Sequence, residues 1–298
     1  MNKIVCAMWI GFVSLTLSFY APVAKAAELY STAATKQVQV GDTVVVDVRL
    51  NTEGKQLNAV EGAVHVQGGV AKVLDISVGG SALTIWPRPP VAQVTAEGVD
   101  IWFTGGVPGG FAESDALLFK VVVVPEKSGK IILQPEQVVS YENDGQGTKV
   151  LASTSSFTLS VVEGDGTNTN SWEQAVTSDT VSPEPFTITL GQDNSVYDNK
   201  KFISFNTTDA GSGVDHYEVA EDASAPIRAE SPYVLREQGA RRVTVTAYDK
   251  AGNAQLATLN LPPEHLASTL IVCVGIALGV LCILIVLVYR AKRQKKTK

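Results

Sequence analysis

TVVVDVRL, Thr43 to Leu50, sets Val44, Val46, Val48 and Leu50 on one side of an extended chain and Thr43, Val45, Asp47 and Arg49 on the other. Side chains alternate across a strand with period two, so this stretch reads as a strand with one face on a core. The alternation returns in AVEGAVHV, where Val60, Val64 and Val66 oppose Glu61 and His65. It returns again in VDIWF (Val99, Ile101, Phe103) and in SFTLSVV (Phe157, Leu159, Val161). LLFKVVVV, Leu117 to Val124, is apolar on both sides except for Lys120, the pattern of a strand held between a core and a covering loop. Gly, Asn, Asp and Pro stand at the breaks, and no long helical period appears before Leu266. The fold class is all-β, and the first unit is a β-sandwich over 27–162.

The composition then changes. Glu163 to Ser182, EGDGTNTNSWEQAVTSDTVS, is rich in Gly, Asn, Thr and Ser and reads as a linker over 163–182. FTITL, KFISF, DHYEVA, RRVTVTAY and AQLATLNL follow as five strand candidates, separated by turn clusters such as DAGSG and DKAGN. They predict a second, smaller sandwich over 183–262.

Both ends carry targeting signals. Leu266 to Tyr289 has no charged side chain and runs directly into RAKRQKKTK. At about 1.5 Å per residue it makes a helix of roughly 36 Å, long enough for a bilayer core of about 30 Å. The basic tail, 290–298, is assigned to the cytoplasm by the positive-inside rule, which places the preceding residues outside. At the other end Met1-Asn2-Lys3, the apolar run Ile4 to Tyr20 and the small-x-small site Ala24-Lys25-Ala26 read as a cleaved signal peptide over 1–26. The expected localisation is the cell membrane, single-pass, with the N-terminal region extracellular. Within 266–289, Gly275 and Gly279 form a G-x-x-x-G pair, the spacing that lets two helices approach closely and dimerise.

Cys6 lies in the signal and Cys273 and Cys282 in the span, so the exported region contains no thiol and no disulfide. Its domains must hold together by their own cores. Setting aside Lys3, Lys25 and the six basic residues of the tail leaves 16 Lys+Arg against 30 Asp+Glu, a formal charge of −14. Phosphate contacts need clustered Lys and Arg, so nucleic acid is excluded as a partner.

The first sandwich resembles the cohesin modules, a jelly-roll-like fold related to carbohydrate-binding modules. The residues carrying the likeness are VQVGDTVVVDVRL (38–50), LNAVEGAVHV (57–66), KVLDISVGGSALTIW (72–86), FTGGVPGGF (103–111), LLFKVVVV (117–124) and YENDGQGTKVLAS (141–153). The resemblance implies a binding module tied to polysaccharide catabolism, or one that holds a dockerin on an exposed sheet face. The second unit, with SGVDHYEVAED (212–222) and VTAYDKAGN (245–253), looks like the immunoglobulin-like modules of bacterial surface proteins, which act as spacers.

Candidate chemistry is sparse. His65, His216 and His265 show no ligand spacing, and no G-x-S-x-G elbow occurs, so the reading is of a protein that is not an enzyme. Oxygen-rich turns at Asp209, Ser212 and Asp215 and at Glu142, Asn143 and Asp144 offer the donors calcium takes, but neither has the spacing of a dedicated calcium loop. No metal or cofactor is assigned on these grounds. For a sugar ligand the candidates are Trp86, beside the extended Pro87-Arg88-Pro89-Pro90, and Trp102, on the polar side of its strand with Asp100 and Thr104. The expected function is a membrane-anchored extracellular protein binding a polysaccharide or glycoconjugate. The alternative is a docking or adhesion scaffold that captures a dockerin-like or other secreted protein.

Overall fold

A computed structural model describes residues 27–68 and 71–262, and further on 276, 278–281, 283 and 284. The expected signal peptide 1–26, Gly275 and the basic tail 290–298 lie outside the described residues, as does most of the expected span 266–289. The few described residues of that span are helical. Among the described residues no helix is long and apolar enough to cross a membrane.

The first unit runs through β1 (Glu28–Ala33), β2 (Gln37–Gln39), β3 (Val44–Asn51), β4 (Leu57–Gln67), β5 (Ala71–Ser77), β6 (Ile85–Val94), β7 (Val99–Phe111), β8 (Ala116–Pro125), β9 (Gly129–Glu142), β10 (Lys149–Leu151), β11 (Ser153–Thr154) and β12 (Phe157–Val162). They form two sheets, β11-β1-β3-β8-β5 and the larger β2-β12-β9-β4-β7-β6, with β10 hairpinned onto β9. The alternation read from the sequence is what closes this sandwich. Val46, Val48 and Leu50 are wholly buried from the smaller sheet, and Val64, Ile101, Leu133 and Leu159 from the larger. A bulge in β8 opposite Val48 and Arg49 turns both Leu118 and Phe119 inward, where strict alternation would have sent one out. Phe119 then meets Phe103 of the opposite sheet edge to face, centroids 5.0 Å apart, pinning the two layers together.

The residues between the two units are ordered on the first. Asn170 caps α1 (Ser171–Thr177) by accepting the Glu173 N–H at 2.9 Å, and Glu173 Oε2 accepts from Asn170 Nδ2 in return. Trp172 is buried, and the segment is tied to the start of β3 by Thr43 N–H to Thr169 O and Ser171 Oγ to Thr43 O. The second unit comprises β13 (Thr189–Gly191), β14 (Phe202–Ser204), β15 (Val214–Glu221), β16 (Ile227–Ala229), β17 (Tyr233–Val234), β18 (Arg242–Asp249) and β19 (Ala254–Asn260). A β13-β14-β17 sheet packs on a β16-β15-β18-β19 sheet around Ile203, Val219, Val243 and Val245. Four of the five strands expected from the sequence are present, the first of the five is strand only from Thr189 on, and the short β16 and β17 are added to them. Among the described residues, both cores draw on positions between Ala27 and Leu261, so a fragment spanning 27–262 holds every described residue that closes them.

The two sandwiches meet at the β5 edge of the smaller sheet. Ser77 Oγ donates to Ser212 O at 2.7 Å, Gly80 N–H to Asp209 O at 2.8 Å, and Lys120 Nζ to Gly211 O at 3.3 Å. Lys250 Nζ pairs with Asp75 at 2.5 Å and lies 5.6 Å over the Trp172 ring. The approach is so close that a Cβ on Gly79 would stand 2.5 Å from Gly211 O.

The turn between β9 and β10 is built by one carboxylate. Asp144 Oδ1 accepts from the N–H of Gln146 and Gly147, both at 2.8 Å, and Oδ2 accepts from the Thr148 hydroxyl. The Thr148 hydroxyl first, then the backbone N–H groups, hold the Asp144 carboxyl down at about 2. A carboxyl depressed in the folded state favours folding above its unfolded value, near 3.8, and that contribution disappears as pH falls through about 2. A carbon-13 NMR titration is expected to place the Asp144 midpoint near 2 in the native protein. Thr148→Ala should move it back toward the ordinary carboxylate value.

Candidate functional site

The interdomain contacts decide which surface is left open. The smaller sheet gives its outer side to α1 and to the Asp209–Gly213 turn, so Lys120 in β8 points at the second unit. The larger sheet carries no covering element among the described residues. Its outer face is read directly from strand alternation: Glu61, Ala63 and His65 from β4, Asp100, Trp102 and Thr104 from β7, and Glu136, Val139 and Tyr141 from β9.

Trp102 is central to this face. It is half-buried, faces Ala63 across one strand pair and Val91 of β6 across the other. Grooves run along both sides of it, one lined by Arg88, Val91 and Gln93, the other by Glu136, Val139 and Leu151. Val91 and Leu151 are 61% and 75% exposed, large apolar side chains standing in water beside the ring. A bulge in β9 shapes the second groove: Gln137 takes φ 52, and the register with β4 shifts between Glu61 and Ala63. Polar pairs fix the rest of the face. His65 Nδ1 and Asp100 Oδ1 lie 2.5 Å apart as direct cross-strand partners, and Tyr141 donates to Glu61 Oε1 at 2.5 Å. That bond to Glu61, with burial behind it, pushes the Tyr141 phenol up.

Trp86 belongs elsewhere. Its ring packs against the first core, and a Cβ on Gly105 would stand 2.7 Å from its Cε3 and Cζ3. Gly105 is on the inner side of β7 and Trp102 on the outer, so the two tryptophans lie on opposite sides of the larger sheet and form no common platform. Trp86 instead borders a cleft of about 910 Å³ between the sandwiches, with Asn206, His216, Tyr217 and Tyr233 opposite. Of the helix glycines, Gly279 is helical with open space where a Cβ would stand, and Gly275 is outside the described residues.

The two oxygen-rich turns part company. At the first, Glu142 pairs with Lys55 at 2.5 Å, Asn143 Nδ2 donates to Gly109 O, and Asp144 serves its own turn. At the second, Asp215 turns to His216 and Arg228, whereas Asp209 and Ser212 come together with Asp179 and Asp249. Ligand oxygens of the three aspartates lie within 4.8 Å of one another. Asp209 and Asp249 are each 3% exposed. Burial, with the Asp179 and Asp249 charges adding to it, pushes the Asp209 carboxyl up against the pull of the Gly213 and Gly211 N–H groups. Asp179 and Asp249 escaped the sequence reading because one sits in the linker-like stretch and the other in a turn that reads as ordinary backbone chemistry.

No protein-family model and no curated protein matches the chain. Among solved structures the chain is similar to cohesin modules. One is the cohesin of a family 33 glycoside hydrolase from Clostridium perfringens, 15% identical over 46% of this chain and 98% of that one, with a TM-score of 0.36. Another is a non-cellulosomal cohesin from the archaeon Archaeoglobus fulgidus, 18% identical over 47% and 94%, TM-score 0.36. A third is the OlpC cohesin of Clostridium thermocellum in complex with a dockerin, 13% identical over 47% and 96%, TM-score 0.38. At these scores the likeness stands as a likeness alone.

Proposed function

We propose that this is a cell-surface binding protein, anchored through residues 266–289, whose first sandwich docks a secreted protein on the outer face of its larger sheet. The observation that carries the reading is the Trp102 face itself. An amphipathic ring is ridged by exposed Val91 and Leu151 and rimmed by Arg88, Glu61 and Glu136, with no element of the described chain covering it. Protein interfaces are made of such a centre: an aromatic anchor, apolar neighbours and a polar rim. A polysaccharide asks for rings arranged as one flat platform, and Trp86 is on the other side of the sheet from Trp102. The second unit, immunoglobulin-like by resemblance, is the spacer that holds the face away from the membrane.

The test offers the 27–262 fragment two kinds of bait. Dockerin modules from the organism's own secreted proteins are immobilised in one arm, and insoluble and cell-wall polysaccharides in the other. Retention by a dockerin is expected, weakened about 30-fold or more by Trp102→Ala, the loss typical of a central aromatic anchor. Trp86→Ala should leave it unchanged. Retention by polysaccharide alone would overturn the docking reading in favour of glycan recognition.

A further inference from the structure

The junction between the sandwiches holds three carboxylates that nothing in the docking reading uses. Each arrives from a different segment: Asp179 from the stretch after α1, Asp209 from the turn before β15, and Asp249 from the end of β18. Backbone and side-chain donors fix all three. Asp179 Oδ2 accepts from Ser212 N–H at 2.6 Å, Asp249 accepts from Asn253 N–H and Nδ2, both at 2.8 Å, and Asp209 Oδ2 accepts from Gly211 and Gly213 N–H at 3.0 and 2.7 Å. These bonds orient the carboxylates but do not use up their oxygens.

A second observation is independent of the clustering. Asp209 is 97% buried by its 3% exposure, and its Oδ1, the oxygen left over by the two glycine N–H bonds, has no hydrogen-bond partner. Ser212, 1% exposed, likewise has a buried Oγ that makes no hydrogen bond of ordinary geometry, although it stands beside the Asp179 carboxylate. A buried carboxylate oxygen with no donor is costly unless a cation meets it, and a buried hydroxyl oxygen beside it can give its lone pairs to the same ion. Neither lysine of the junction bonds the orphaned Oδ1: Lys120 Nζ donates to Gly211 O, although its charge reaches Asp179, and Lys250 Nζ donates to Asp75 and Ile76 O.

We propose that Asp179, Asp209 and Asp249, with Ser212 Oγ, form a calcium site at the junction of the two sandwiches. All the donors are hard oxygens, the class calcium prefers. Oxygens on opposite sides of a calcium ion lie about 4.6–5.2 Å apart at ordinary bond lengths, and the three aspartates meet within 4.8 Å. Magnesium demands a tighter octahedron near 2.1 Å and keeps its own waters, which suits a buried three-carboxylate cage poorly. The consequence is mechanical. The Asp209–Gly213 turn that supplies two donors is the same turn that bonds Ser77, Gly80 and Lys120 of the first unit, so the ion locks the linker, the turn and the second sandwich into one body.

The experiment uses the full chain in detergent, stripped with EDTA and titrated with calcium by calorimetry, with thermal unfolding followed in parallel. One calcium per chain and a rise in melting temperature of about 5 °C at saturation are expected, reversed by EDTA. Asp209→Asn with Asp249→Asn should abolish both, and the gentler Ser212→Ala should weaken binding about tenfold while keeping the fold. Equal magnesium should give no comparable shift. Absence of heat and of a melting shift in the native chain overturns the site. So does calcium binding that survives the double substitution, or magnesium binding as tight as calcium.

Discussion

Replacing Phe119 by alanine is expected to strip about 3–5 kcal/mol from the first sandwich. Phe119 is wholly buried in the smaller sheet and Phe103 is 1% exposed in the larger, so their edge-to-face contact at 5.0 Å spans the gap between layers. Truncation removes the burial of one ring, leaves a cavity its rigid neighbours cannot fill, and forfeits the ring pair. No disulfide shares the load, because residues 27–262 contain no cysteine. Urea unfolding of the 27–262 fragment measures the effect. Thr158→Ala, on the exposed side of β12, is the control and should change stability by no more than about 0.5 kcal/mol. A Phe119→Ala loss as small as the control's would mean the two sheets are not joined where the structure joins them.

Gly79→Val is expected to part the sandwiches while leaving each core intact. Gly79 has no space for a side chain: a Cβ there meets Gly211 O at 2.5 Å and Gly213 N at 2.7 Å, both of them backbone. Backbone cannot swing aside as a lysine tip would, so the turn must withdraw from β5. With it go Ser77 to Ser212, Gly80 to Asp209 and Lys120 to Gly211, three bonds each contributing about 0.5–1.5 kcal/mol. Small-angle scattering of the fragment should show a longer, more variable particle, and far-ultraviolet circular dichroism an unchanged strand content. An unchanged particle length would contradict the tight junction. Gly239→Val, where a Cβ meets nothing within 4 Å and the backbone is not left-handed, is the matched substitution away from the interface.

The strands were legible in the sequence because burial on one face leaves an alternation that nothing else produces. Val44 to Leu50, Val99 to Phe103 and Phe157 to Val161 all turned their expected faces to the core. The helix Ser171–Thr177 was not legible, since seven mostly polar residues make no helical period and its order comes from the Asn170 cap and from burial of Trp172 against β3. A two-residue strand such as β17 is set by its pairing with β14 and leaves no pattern of its own. For the sites, the sequence named Trp102 on a polar strand face, which is where it lies, and Trp86 beside a proline run. That Trp86 turns inward depends on Gly105 of the neighbouring strand β7, a contact alternation does not encode. The aspartate cluster was half visible: Asp209 and Ser212 share a turn, but Asp179 and Asp249 are brought to them only by the folded junction.

The proposed docking surface is tested most directly by cross-linking. With the proposed dockerin added, a photoactivatable side chain placed at Val91 or Val139, either side of Trp102, should capture it, and one placed at Val45 on the outer side of the smaller sheet should not. Capture from Val45 with none from Val91 or Val139 would contradict the account, because it would put the partner on the sheet that α1 and the second sandwich already cover.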